Sequence, residues 1–191
     1  MEERERALAR VFSFDVKFTG TRKTLFYRRL FGYSSSTKRE LKDGSRKTYT
    51  HVAQGLLGRI PHVKLGKSVI AVPKAAAGHL EAFFSDPRWQ PLELHSFDAI
   101  LPAEVRARAM EETLASLAIG RERVGLVTEI EELSAAIGRS ELVPELAERA
   151  RHVLQAAEQL IAFDWTDERE FSRRLGPCLV QLRKGAISFK P

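Results

Sequence analysis

The stretch PHVKLGKSVIAVP, Pro61–Pro73, decides how the N-terminal half of this chain is interpreted. Its central GKS is the end of a phosphate-binding P-loop, but that loop needs a glycine five residues before Gly66, where Pro61 stands. A P-loop also needs a helix after the serine, whereas Val69–Val72 has the composition of a strand. The stretch therefore predicts a tight β-hairpin that turns at Gly66–Lys67, and it argues against nucleotide binding.

The residues before this hairpin predict a strand, a helix and a polar connection. Apolar and polar residues alternate over Val11–Thr19, as in a half-buried strand, and Thr21–Phe31 has the apolar spacing of a helix. The serine-rich and basic segment Ser34–Thr48 is expected to be a loop with at most one helical turn. Tyr49–Leu57 fits a helix or a strand, and its threonine and tyrosine content favours a strand.

The second half of the chain is expected to be mainly helical. Pro91 and Pro102 mark residues 88–102 as a linker, and Leu and Ile stripes predict successive helices from Ala103 to about Phe163. A short helix then stops at Gly176, and alternation over Cys178–Pro191 predicts a closing β-hairpin. The expected fold is α+β, with a basic winged module at 1–87, a linker at 88–102 and a mainly helical domain at 103–191.

Positive charge is concentrated in the first part of the chain. Residues 1–75 hold 17 Lys and Arg against 6 Asp and Glu, a net charge of +11, whereas residues 76–191 carry −5. Such asymmetry predicts a basic module that meets a polyanion. The single cysteine, Cys178, excludes an internal disulfide, and no stretch has the apolar length of a membrane span, so a cytoplasmic location is expected.

The segment RIPHVKLGKSVIAVPKAAAGHLEAFF, Arg59–Phe84, resembles the wing and following helix of excisionase-type winged helix-turn-helix proteins. The likeness lies in the I-P-x-x-K-L-G-K hairpin, the strand after it, and a proline before an apolar helix. It implies DNA binding, with Lys64 and Lys67 as wing contacts to phosphates. It also implies a recognition helix within Ser45–Gly58, where Gly55 and Thr50 weaken a helix.

Cations and aromatic residues are interleaved between Thr21 and Tyr49. Lys and Arg near phosphates release counterions and bind without sequence preference, and tyrosines can stack on unpaired bases. Tyr27, Tyr33 and Tyr49 are the candidates for stacking. The candidate phosphate contacts are Arg22, Lys23, Arg28, Arg29, Lys38, Arg39, Lys42, Arg46, Lys47, Lys64 and Lys67.

These residues predict a non-catalytic nucleic-acid-binding protein that contacts double-stranded DNA as an accessory or regulatory factor. RNA or ribosome binding uses the same cations and stays open as an alternative. A metal-dependent nuclease or strand-transfer enzyme is a further alternative, centred on Asp15 and Glu40 with Lys17 and Lys42. The last alternative is a module that binds another protein through its acidic helices. We expect no cofactor or metal, because the histidines lack ligand spacing, and we expect the C-terminal helices to allow a homodimer.

Overall fold

The computed structural model of this chain describes residues 7–40, 45–119, 124–139 and 144–188; of residues 39, 49, 118, 119, 124, 144 and 185–188 it describes only the backbone. The fold in these residues is α+β. The strands are β1 (Leu8–Val16), β2 (Gly32–Glu40), β3 (Arg46–Gln54), β4 (Val63–Gly66), β5 (Val69–Pro73), β6 (Leu92–Ile100), β7 (Ala118–Ile119) and β8 (Val124–Gly125). The helices are α1 (Gly20–Phe31), α2 (Ala77–Phe84), α3 (Ala103–Ser116), α4 (Leu126–Gly138), α5 (Pro144–Ala162) and α6 (Glu170–Ser188).

A four-stranded antiparallel sheet lies at the centre, in the order β4-β5-β1-β6. The strand and the helix predicted from Val11–Thr19 and Thr21–Phe31 are confirmed as β1 and α1. The hairpin predicted from Pro61–Pro73 is confirmed as β4 and β5, with Lys67 in its turn. The GKS sequence therefore lies in a turn between two strands, which is not the setting of a P-loop.

Alternation along β1 buries both faces of the sheet. Phe12 and Phe14 point into a cluster with α1 and α2 on one face, while Ala9 and Val11 pack with the C-terminal helices on the other. This follows from the period of two in a strand, since the apolar residues Ala9 and Val11 stand at odd positions of β1 and Phe12 and Phe14 at even ones. The sheet thus joins the basic N-terminal part to the helical part.

Phe26 fixes α1 against the sheet. It is fully buried, and its ring lies 5.8 Å from that of Phe14 and 5.5 Å from that of Trp89, measured between centroids. Leu30, four residues later on the same helix face, is also fully buried. Because this face is held by the core, the opposite face of α1 is presented to solvent with its cations.

Three segments differ from the sequence-based expectation. Residues 92–100, assigned to a linker, form the edge strand β6, since the prolines at 91 and 102 stand just outside it and leave its ladder intact. Within the expected loop Ser34–Thr48, the described residues 34–40 and 46–48 instead lie in the paired strands β2 and β3. The predicted C-terminal hairpin is wrong, because α6 continues through Pro177 to Ser188.

The apolar spacing explains why α6 continues. Phe171, Leu175, Leu179 and Leu182 recur every three or four residues and are all buried against α4 and α5. A proline in a helix interior costs roughly 3 kcal/mol, and we infer that the burial of this stripe offsets it. Among the described residues, no helix is both long and apolar enough to cross a membrane.

Candidate nucleic-acid interface

A two-stranded arm projects from the end of α1. Strands β2 and β3 pair antiparallel in continuous register from Gly32↔Gln54 to Glu40↔Arg46. The described side chains from Ser34 to Lys38 and from Arg46 to Thr48 are exposed. At about 3.3 Å per residue, nine residues give the arm a length of roughly 30 Å. Most of the arm's described surface is therefore exposed to solvent.

Two glycines form the root of the arm. Gly32 has a φ of +82°, which favours glycine, and it follows α1 directly. A Cβ placed on Gly55 would lie 2.1 Å from the backbone nitrogen of Gly32 and 2.6 Å from the carbonyl oxygen of Leu30. The chain entering the arm and the chain leaving it thus touch through backbone atoms alone, and this contact fixes where the arm begins relative to α1.

Cations pack on aromatic rings around this root. The Arg28 guanidinium carbon lies 4.6 Å from the centroid of the Tyr33 ring, and the Tyr33 and His51 rings are 5.8 Å apart. At Phe31, which precedes Gly32 in the chain, the Lys64 ammonium lies 4.5 Å from the centroid of the ring. These contacts join α1, the arm and the β4–β5 hairpin into one basic surface.

The register divides the arm into two faces, because residues opposite one another in an antiparallel pair share a face. We call one the Tyr33 face, which also carries Ser35, Thr37, Lys47 and His51. The backbone positions of Arg39 and Tyr49 belong to this face. We call the other the Ser34 face, which also carries Ser36, Lys38, Arg46, Thr48 and Thr50. Because Arg28 contacts Tyr33, the Tyr33 face is continuous with α1.

The structure places most of the predicted phosphate contacts on this surface. Lys23 and Arg29 are exposed on α1, and Lys67 is exposed in the turn between β4 and β5. Lys38, Arg46 and Lys47 are exposed on the arm. The side chains of Arg39 and Tyr49, and the whole of Lys42, lie outside what the structure describes.

Arg22 differs from the other candidate cations. Its Nε donates to the carbonyl oxygen of Arg88 at 2.7 Å, and one of its terminal nitrogens donates to that of Gln90 at 2.5 Å. Its guanidinium also lies 4.6 Å from the centroid of the Phe18 ring. These contacts attach the first turn of α1 to the body of the protein.

Two of the predicted stacking residues, Tyr27 and Tyr33, are already in contact with another ring or a cation. The Tyr27 ring is stacked on that of Phe31 at 6.2 Å between centroids and 12° between planes, and it meets Phe26 edge-on. The Tyr33 ring is covered by Arg28. Sequence reasoning did not assign Phe31 or His51 to the site, although Phe31 follows Tyr27 by four residues, the spacing of one helix face.

The two acidic residues considered for catalysis lie on different strands, Asp15 on β1 and Glu40 at the end of β2. Asp15 accepts a hydrogen bond from Lys17 at 2.6 Å, and the same ammonium lies 3.1 Å from Glu93 on β6. This hydrogen bond from Lys17 lowers the pKa of Asp15. Among the described residues, no three His, Cys, Asp or Glu side chains come together in a way that would hold a metal ion.

The order of elements that the winged helix-turn-helix resemblance implies is not confirmed. The hairpin and the helix after it occur as β4, β5 and α2, but Arg46–Gln54, where the resemblance implies a recognition helix, forms strand β3. The residues Thr48 and Tyr49 favour this extended form. No protein-family model, curated protein or solved structure matches this chain significantly.

Proposed function

We propose that this protein binds double-stranded DNA without catalysis, as an accessory or regulatory factor, through the basic surface of α1, the β2–β3 arm and the β4–β5 hairpin. The observation that carries the proposal is the cation–aromatic contact of Arg28 with Tyr33 and of Lys64 with Phe31. These contacts hold one cation of α1 and one of the β4–β5 hairpin at the arm's root, against the rings of Tyr33 and Phe31. Fixed cations on one surface favour a rigid, regularly charged partner such as the duplex backbone.

A duplex fits these residues better than single-stranded nucleic acid. Binding of single strands depends on aromatic rings that stand ready to stack on bases. Tyr27 is stacked on Phe31, and Tyr33 is covered by Arg28, so each would have to give up a contact first. RNA binding by the same cations is the alternative, and the experiment below includes it.

The interface consists of the exposed cations that have been placed on this surface. Arg22 is left out, because two backbone carbonyls already accept from its guanidinium. The phosphate contacts we propose from the described side chains are Lys23, Arg28, Arg29, Lys38, Arg46, Lys47, Lys64 and Lys67.

Fluorescence anisotropy tests this proposal with labelled duplex DNA, single-stranded DNA and hairpin RNA at three salt concentrations. The variant Arg28→Gln/Arg29→Gln removes two cations from the interface. If both contact phosphates of B-DNA, the slope of log K against log salt becomes shallower by about 1.8, since each contact contributes about 0.9. We expect the duplex to bind more tightly than either of the other two ligands.

A matched control separates the site from net charge. Arg173→Gln/Arg183→Gln removes the same two charges from α6, where Arg173 is ion-paired with Glu168 and Arg183 with Glu158 at the surface. This control should keep the wild-type slope. Equal slopes for both variants would show that the surface has been placed incorrectly. Tighter binding of the hairpin RNA would favour the alternative.

A further inference from the structure

The two-stranded arm has the dimensions of a ribbon that enters a DNA groove. Its strands are about 4.8 Å apart, and side chains on both faces bring its thickness to roughly 10 Å. The major groove of B-DNA is about 12 Å wide and 8.5 Å deep and admits a two-stranded β-ribbon, while the minor groove is about 6 Å wide. At roughly 30 Å in length, the arm spans most of one turn of the duplex.

We propose that the β2–β3 arm inserts into the major groove of duplex DNA with its Tyr33 face toward the base edges. This inference rests on the proposed function, and it adds which element reaches the bases and through which face. Arg28 and Lys64, held at the root by Tyr33 and Phe31, then lie at the groove's edge, where phosphates stand.

The contact with α1 selects the face. Arg28 packs on Tyr33, so the side of the arm that carries Tyr33 and His51 is the side that adjoins the cations of α1. If the Ser34 face met the bases instead, Arg28 and its neighbours would be on the far side of the ribbon from the DNA. The orientation that uses both sets of residues therefore places the Tyr33 face in the groove.

The exposed side chains on this face suit base edges. Ser35 and Thr37 carry hydroxyls, which donate and accept, His51 donates or accepts through its ring nitrogens, and the Lys47 ammonium donates. Serine and threonine bond to several bases, so this face predicts a groove reader with modest sequence preference. The backbone at Gly32 and Gly55 keeps the direction of the arm fixed relative to the phosphate contacts.

Paired glutamate substitutions test the choice of face. Ser35→Glu/Thr37→Glu alters the Tyr33 face, and Ser34→Glu/Thr48→Glu makes the same chemical change on the Ser34 face. All four residues are exposed, and each pair is one serine and one threonine, so net charge and strand propensity change equally. We expect the first variant to lose at least about tenfold more affinity for duplex DNA than the second, the scale of one lost base contact. Equal losses would overturn the assignment of the face.

Modified duplexes test the groove with the wild-type protein. Glucosylated 5-hydroxymethylcytosine fills the major groove, and netropsin fills the minor groove of AT-rich duplex. We expect the glucosylated duplex to bind at least about tenfold more weakly and netropsin to leave the affinity unchanged. The major-groove inference is overturned if netropsin alone weakens binding, or if neither netropsin nor glucosylation weakens it. In both cases the proposed duplex binding stands. If the unmodified duplex does not bind at all, the proposed function fails with it.

Discussion

Gly55→Ala tests whether the root of the arm is fixed as described. The φ of Gly55 is −84°, which alanine adopts freely, so any penalty is steric. The new Cβ would lie 2.1 Å from the Gly32 nitrogen and 2.6 Å from the Leu30 oxygen, and both are backbone atoms that cannot rotate away. Overpacking costs about 1–3 kcal/mol, and contact with backbone on two sides places this change near 3 kcal/mol.

Urea denaturation followed by tryptophan fluorescence measures the loss, since Trp89 and Trp165 are buried and report from the two core clusters. Gly78→Ala is the matched control: Gly78 lies in α2, and nothing would stand within 4 Å of its Cβ. That change should raise the free energy of unfolding by about 0.4–1 kcal/mol, because the unfolded chain loses freedom.

Duplex binding links this prediction to function. If the root separates to admit the methyl group, the arm changes direction relative to Arg28 and Lys64, and affinity for duplex DNA falls even in the fraction that stays folded. Gly78→Ala should bind as the wild type does. A Gly55→Ala protein with wild-type stability and wild-type affinity would refute the description of the root.

Two further predictions concern contacts away from the interface. Buried Arg106 donates to the carbonyl oxygens of Leu101 (3.1 Å) and Trp165 and to Asp167 at 2.7 Å, so Arg106→Met should cost about 2 kcal/mol in urea unfolding by leaving buried acceptors without donors. Asp167→Asn should cost less, because that carboxylate is mostly exposed. Hydrogen bonds from Arg88 lower the pKa of Asp86 from 3.8 to about 2. The contribution of Asp86 to stability is therefore complete only above about pH 5 and is lost as the pH falls through about 2, so Asp86→Asn should lower the urea midpoint at pH 7 and lower it progressively less as the pH falls from 5 toward 2.

Hydrophobic period made part of this fold predictable. β1 and α1 follow from Val11–Thr19 and Thr21–Phe31, because their apolar residues recur at the spacing of a strand and a helix. The β4–β5 hairpin follows from strand-forming residues on both sides of Gly66–Lys67. The exposed cations of α1 and the two hairpins could be predicted for a different reason, since a cluster of like charge stands out in the sequence.

The arm was not predictable in the same way. The described residues 34–40 and 46–48 are polar on both faces of the ribbon, so their sequence lacks the alternation that indicates a half-buried strand. The pairing of β2 is set by its register with β3, which depends on both segments together. The contacts of Arg28 with Tyr33 and of Lys64 with Phe31 join side chains of different elements, so the sequence predicted the basic character of this surface but not its shape.

The arm has little contact with the hydrophobic core, and this bears on its role. A two-stranded hairpin is marginally stable alone, and this one buries few of its side chains against the rest of the protein. A glycine contact nevertheless fixes the root. A polar, positively charged ribbon on a fixed root suits a polyanion that lies along it, and its width supports the duplex DNA binding that we propose.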